Sequence, residues 1–327
     1  MTEDNIKAYV HSLPPRIFGL ETIETLECAR LDKGLHHLNF KLDISDGFKK
    51  CQAVLRLAGT TEDYSRLINE VWYLKKVGEG IAPKVLYHAD TSALEMPVVI
   101  TAFAAGVHLD FNNLDDTHIA RLAEKLAAVH AIKDTHYSIG DAALPATRGT
   151  YRDYARSAIY EALTKPYNRA KKIPHDKVIV KACEALEQKL NSPDPSWSQD
   201  TFSLGHGDVG IYNVLWSGHD LCLIDWDGAR FGDPADDIAY IFAINHVSKQ
   251  WQATFLDAYF RASKSKDVAS RIETYLLKNY IQDVVWAIGK ILEEQEGRSL
   301  VRLEKGAYQA MYERRLAALK TTFKYLR

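Results

Sequence analysis

The 327-residue sequence is 46% hydrophobic and 26% charged, with a formal net charge of −2, so it can bury a large core, and its length suggests two lobes rather than one. With no clustered basic excess, the charge balance gives no electrostatic case for a nucleic-acid partner. Cys28, Cys51, Cys183 and Cys222 stand apart without a C-x-x-C pair, which argues against a zinc knuckle or disulfide framework and fits a reducing cytoplasm. The N-terminus "MTEDNIKAYVHSLPP" lacks an apolar run and no stretch reaches membrane-spanning length, so neither a signal peptide nor a membrane partner is expected.

No internal repeat or low-complexity linker interrupts the chain. "LECARL", "LNFKLDI" and "CQAVLRL" are short apolar or alternating runs separated by Asp32-Lys33-Gly34 and Asp46-Gly47, which predicts an antiparallel meander with tight turns. In "TTEDYSRLINEVWYLKKVGEG", Tyr64, Leu67, Val71 and Leu74 share one helical face, Thr60 and Asp63 form an N-cap pair, and Gly78 closes the far end. "MPVVITAF" returns as a strand. After Gly106 the pattern turns helical: Ile119, Leu122, Leu126 and Val129 recur at helical spacing, and most of the last ninety residues behave similarly. A strand-rich part followed by a helix-rich part predicts an α+β chain of two lobes, divided as 1–103 and 104–327.

Inside the helical part, "NVLW" and "LCLIDW" flank Ser217-Gly218-His219-Asp220 as a hairpin. Pairing across that turn returns Asn213 and Asp225 to the same end, about 5–8 Å apart at Cα. Whether their side chains share a face depends on register, which one residue of slip reverses. Upstream, "HGDVGIYN" places Asp208 five residues before Asn213, and Gly207 and Gly210 favour a compact loop there. An aspartate carboxylate and an asparagine carbonyl are hard oxygen ligands suited to Mg²⁺, which keeps waters and bridges phosphates. Taken singly, each is a common turn former.

The pattern H-G-D-x-x-x-x-N, the strand ending I-D-W and the continuation "GDPADDIA" resemble the aminoglycoside phosphotransferase and choline kinase family, relatives of the protein kinases. The likeness spans nearly the whole chain and is dense over residues 205–239. It implies a bilobal, protein-kinase-like fold: a small antiparallel-sheet N-lobe with one helix that binds nucleotide, and a larger, mainly helical C-lobe carrying a catalytic hairpin. It implies ATP and Mg²⁺ as cofactors and a small-molecule hydroxyl as phosphate acceptor. Asp208 would orient that hydroxyl and accept its proton, with Asn213 and Asp225 on the metal. Catalysis in such sites rests mostly on positioning and on neutralising phosphate charge.

By the same resemblance His206 braces the loop, a role Asp237 would share, and Asp233, Asp236 and Asp237 flank a helix start that capping explains. Asp227 either supports the metal or makes a local ion pair. Alternation on "CQAVLRL" puts Arg56 on the face of Val54, where kinases place a phosphate-gripping lysine. Arginine departs from that pattern; its planar fork is not an ammonium point charge. Glu70, at the edge of its helix's apolar stripe, would pair with Arg56. "DKGLHHLN" would cover the phosphates through Gly34 and Asn39, with His36 and His37 as exposed turn residues. "VVITAFAAG" would form the hinge, with the Thr101 carbonyl and Phe103 amide offered to adenine and Ile100 packing behind it. D-F-G and A-P-E signatures are absent, which disfavours a protein kinase.

No motif identifies the acceptor, so amino sugars, choline, ethanolamine and thiamine stand side by side, and oligomeric state is unreadable. Glu293, Glu294 and Glu296 form a solvated helix face more readily than a polycation site. Trp226, Tyr240 and Trp286 suit a core role better than a quaternary-ammonium cage. A silent nucleotide-binding protein with a kinase-like fold is the rival reading.

Overall fold

The computed structural model describes residues 1–31, 37–58, 64–110, 114–139, 142–161, 177–297 and 306–324. The expected turn at Asp32-Lys33-Gly34 and the Thr60/Asp63 cap lie outside them. Two compact units result: Met1–Leu109 with Tyr212–Ala229, and Asp110–Ile211 with Arg230–Arg327.

In the first unit, helix α1 (Glu3–Ser12) starts at a capping box. The Thr2 side chain accepts the Asn5 N–H, and the Asn5 carbonyl oxygen accepts the Thr2 N–H, which satisfies donors a helix start leaves open. Its Ile6, Tyr9 and Val10 are buried. The strands β1 (Thr25–Leu31), β2 (His37–Ser45), β3 (Lys50–Ala58), β4 (Val85–Ala89) and β5 (Val98–Ala102) form one antiparallel sheet in the order β1-β2-β3-β5-β4. The β2–β3 turn is held by Asp46, whose carboxylate accepts the Phe48 and Lys49 N–H groups at 3.0 and 2.7 Å.

Alternation along β3 decides the site. Ala53, Leu55 and Leu57 are fully buried in a core shared with α1, β2, Val98 and Ile100, each leucine stabilising the fold by about 1.5–3 kcal/mol. Period two then turns Val54 and Arg56 to the opposite face. There helix α2 (Tyr64–Val77) packs Leu67 and Val71 against Ala58 and Val99, and Gly78 closes it at φ +80°.

The hairpin of Val214–Trp216 and Leu221–Leu223, which the sequence reading counted with the second lobe, packs with the first unit. Val214–Trp216 pairs with the short strand β6 (Val107–His108), and Leu223 N–H donates to the Ile81 carbonyl at 2.7 Å.

The second unit carries helices α3 (Asp116–His130), α4 (Tyr151–Ile159), α5 (Lys177–Leu190), α6 (Pro234–Ile244), α7 (Lys249–Ser263), α8 (Ala269–Gln295) and α9 (Ala307–Thr322). The α3 face of Ile119, Leu122, Leu126 and Val129 is buried as its spacing requires. A strand at Phe202–Gly205, between Lys133–Asp134 and Arg230–Gly232, leads into His206. Among the described residues no helix is long and apolar enough to cross a membrane.

Candidate active site

Within the first unit, the site grows from β3. Arg56 donates through Nη1 to Glu70 Oε1 and through Nη2 to Asp225 Oδ1, the latter at 3.0 Å. Glu70 is 2% exposed and its Oε1 also accepts the Trp226 N–H at 3.2 Å. A carboxylate at the edge of an apolar stripe is thus drawn inside by a guanidinium across the sheet. Burial pushes the Glu70 carboxyl up to about 7, against the pull of Arg56, and Asp225 and Asp227 push the same way. Burial works against the charge on Arg56, yet Glu70 and Asp225 outweigh it and raise its pKa.

The hairpin register is Val214↔Leu223, Leu215↔Cys222 and Trp216↔Leu221. It continues to Ile224, whose N–H donates to the Asn213 carbonyl at 3.0 Å. Asn213 therefore faces Ile224, and a regular strand would turn Asp225 to the other face. Instead Asp225 leaves the strand at φ +65° and ψ +71°, a left-handed conformation that aspartate tolerates better than most residues. Its side chain is 43% exposed. The following Trp226 is wholly buried, with its indole N–H on the Leu223 carbonyl at 2.8 Å; it is core and lines no ammonium cage.

Asn39 lies directly across from Arg56 in the β2–β3 register. Its Oδ1, like Glu70 Oε2, is buried with no hydrogen-bond partner among the described residues, an unmet demand native structures seldom leave. Gly34 and His36 lie outside the described residues. His37 is buried at 6% exposure rather than an exposed turn residue, because it opens β2 in register with Ala58.

At the segment expected to form the hinge, the strand parity and backbone partners differ from the expectation. Ile100 pairs with Leu55 and belongs to the α1-side core, so it faces away from Arg56 and cannot back a nucleotide there. Thr101, paired with Val54, has that face. The Phe103 N–H is spent on the Gln52 carbonyl at 3.0 Å. In an antiparallel ladder hydrogen-bonded pairs alternate, so the Thr101 carbonyl points at β3 as well. Ala102, whose N–H goes to Lys84 O at 2.8 Å, directs its groups away from β3.

Within the second unit, the loop after Gly205 is held by one buried acid. Asp237 accepts the His206 N–H at 2.9 Å, the Gly207 N–H at 2.8 Å and His130 Nε2 at 3.2 Å. Burial opposes its charge, but His130, His206 and these backbone donors hold its carboxyl well below the usual range. His130 Nδ1 takes the Tyr259 hydroxyl at 2.8 Å, which leaves the proton on Nε2 to face Asp237. Gly207 turns at φ +80°, and the Asp208 N–H donates to His206 Nδ1 at 3.3 Å. His206 is completely buried and braces the loop as expected. The Tyr240 hydroxyl donates to Asp208 Oδ1 at 2.6 Å and so orients the carboxylate. Burial and the Asp208 charge raise the Tyr240 pKa, so it stays a neutral donor.

Capping is only part of what the acids of α6 do. Asp233 caps Ala235 and also holds Arg271 by two bonds at 2.6 and 3.0 Å, and Asp236 holds Lys278 at 2.6 Å and the Tyr154 hydroxyl at 3.0 Å. His130 and Tyr259 carry no mark in the sequence reading, and Tyr240, weighed there as core or cage, instead serves Asp208. A polar residue on the apolar stripe of α3 was the one available sign of His130, and Tyr240 follows Asp237 by three residues on α6, the same helical side.

The phosphotransferase enzyme family matches this chain over residues 27–275. Among solved structures, a choline/ethanolamine kinase family protein from Mesorhizobium loti is similar with a TM-score of 0.67 and 17% identity, covering 98% of this chain and 94% of that one. A choline kinase from Cryptosporidium parvum is similar at 0.60 and 16%, covering 99% and 97%. A thermostable mutant of the aminoglycoside phosphotransferase APH(4)-Ia, in complex with AMP-PNP and hygromycin B, gives 0.60 and 18%, covering 94% and 97%. At these identities the likeness establishes the fold.

Proposed function

The chain belongs to the phosphotransferase enzyme family, and from that membership we propose that it moves the γ-phosphate of ATP, with Mg²⁺, to a hydroxyl of a small molecule. The carrying observation is Arg56, one guanidinium tied to Glu70 and to Asp225: a fixed cation beside a half-exposed carboxylate suits a metal-bound polyphosphate. Asn213 and Asp225 supply hard oxygens for Mg²⁺. The buried acceptors Asn39 Oδ1 and Glu70 Oε2, without a partner among the described residues, suit a ligand that brings donors, as a hydrated Mg²⁺ does. When bound, the ion neutralises charge on the phosphates. Adenine takes the Ala102 carbonyl and Ala104 N–H, with Thr101 behind it.

Asp208, oriented by Tyr240, positions the acceptor hydroxyl and receives its proton. Its role is small in driving force and large in alignment, because phosphoryl transfer has a loose transition state. We place the enzyme in the cytoplasm, acting without nucleic acid or membrane.

A coupled ADP-release assay over amino sugars, choline, ethanolamine and thiamine tests the activity. Turnover with an acceptor supports it; no turnover together with no Mg-ATP binding defeats it, and Mg-ATP binding without transfer favours the silent rival. Asp208→Ala is expected to bind Mg-ATP and lose transfer by about 10²–10⁴-fold. Full transfer in that variant removes Asp208 from the mechanism.

A further inference from the structure

The long helix α8 and the last helix α9 hold a guanidinium that the proposed chemistry has not used. Arg315 donates through Nη1 to the Asp283 backbone carbonyl at 3.2 Å and pairs with the Asp283 carboxylate at 3.1 Å. Its guanidinium carbon lies 4.5 Å from the ring centroid of Trp286, which is itself 44% exposed. Aspartate and tryptophan sit three residues apart on α8, so both reach the same side of the helix. The Arg315 side chain is 19% exposed and that of Asp283 11%. Among the described residues the hydrogen bonds of this guanidinium run through Nη1 alone, so the Nε and Nη2 donors are unspent.

These groups belong to the same unit as Asp208. Helix α8 packs against both α6 and α9. Tyr240 of α6, whose hydroxyl is on Asp208, stands within the electrostatic reach of Asp283 and of Arg315.

A carboxylate beside an exposed tryptophan is the chemistry that binds an organic cation, but here the cation is already supplied by the chain. An incoming ammonium would have to displace a guanidinium held by an ion pair, a hydrogen bond and a ring. Lys290, 5.8 Å from the Trp286 centroid, and the exposed neighbour Arg314 add positive charge, and Glu293 offsets Lys290 at 2.7 Å. What the pinned fork still lacks is an acceptor of two hydrogen bonds, the geometry in which arginine grips carboxylate and phosphate.

We propose that Arg315 recognises an oxyanion, a carboxylate or a phosphate, carried by the phosphate acceptor, with Asp283 and Trp286 setting the angle of its guanidinium. This deepens the phosphotransfer reading and rests on it for the identity of the ligand as acceptor.

The test uses the full-length enzyme and matched hydroxyl compounds: glycerate, glycerol 3-phosphate and glycerol; homoserine and homoserinol; and choline as a cation. Turnover is expected with members bearing an oxyanion, and the carboxylate and phosphate arms tell the two sources apart. In Arg315→Gln the acceptor KM should rise roughly 10- to 100-fold, the loss of a charge-assisted hydrogen bond, while the KM for ATP stays unchanged. Arg315→Lys, which keeps the charge and loses the fork, should recover only part. Turnover confined to choline or glycerol, or an oxyanion acceptor with equal KM in wild type and Arg315→Gln, overturns the proposal. If no compound is turned over, thermal shift with glycerate and with inorganic phosphate decides: an upshift that Arg315→Gln abolishes supports the oxyanion site even though phosphotransfer has failed, and no upshift, or an equal one in both proteins, refutes it.

Discussion

The two acid-centred clusters, Glu70 with Asp225 in the first unit and Asp237 in the second, use the same residue chemistry to opposite ends. Asp237 is saturated: both its oxygens are taken, by two backbone N–H groups and an imidazole, and its side chain is 4% exposed. Around Arg56, Glu70 keeps a buried oxygen without a partner among the described residues, and Asp225 is 43% exposed. A fully satisfied buried network fixes backbone, whereas a partly satisfied one holds capacity for a ligand. The contrast separates residues that build the site from those that await something in it.

The widest separation is expected from Asp237→Ala. It strands the buried His206 N–H, the part-buried Gly207 N–H and His130, and should lower stability by roughly 3–5 kcal/mol, measured by chemical denaturation. Arg56→Ala is the matching cut in the other cluster. It leaves Glu70 buried and uncompensated, yet its leading effect should be on Mg-ATP binding by calorimetry; if instead it destabilises the fold as much as Asp237→Ala while nucleotide affinity is kept, the contrast fails.

The pH response sharpens the same distinction. Because Asp237 ionises more readily folded than unfolded, its stabilisation is complete above the ordinary aspartate pKa near 3.9 and is lost as pH falls through and below it. Denaturation curves between about pH 5 and pH 2 should therefore steepen for wild type and flatten for Asp237→Asn. Smaller still is Gly207→Ala, where a Cβ at φ +80° should cost about 1–2 kcal/mol, visible as a modest drop in melting temperature.

Much of this was legible in the sequence because period two and period 3.6 leave plain marks. Ala53, Leu55 and Leu57 announced the buried face of β3 and hence the opposite face of Arg56. The H-G-D-x-x-x-x-N pattern and the strand ending I-D-W, through the family they resemble, singled out Asp208, Asn213 and Asp225 as candidates. Helix α1 and strand β4 were not read: the apolar residues Ile6, Tyr9 and Val10 were too few to mark a helix without noticing the Thr2–Asn5 box, and "VLYHA" is a five-residue strand without alternation. The parity of the segment expected as hinge was not legible because Val98, Val99, Ile100 and Thr101 are all buried, and an unbroken run carries no parity. Only pairing with β3 reveals which of them face Arg56. His130 meets Asp237 from 107 residues away in sequence and Tyr259 meets His130 from 129, and neither is visible to a local pattern.

The left-handed backbone at Asp225 decides which replacements there can be interpreted. Asparagine enters that region nearly as readily as aspartate, so Asp225→Asn alters charge and little else. Valine or isoleucine would add conformational strain to the lost carboxylate, and an inactive enzyme of that kind would say nothing about metal chemistry. The backbone at this one residue thus separates an informative mutation from an ambiguous one.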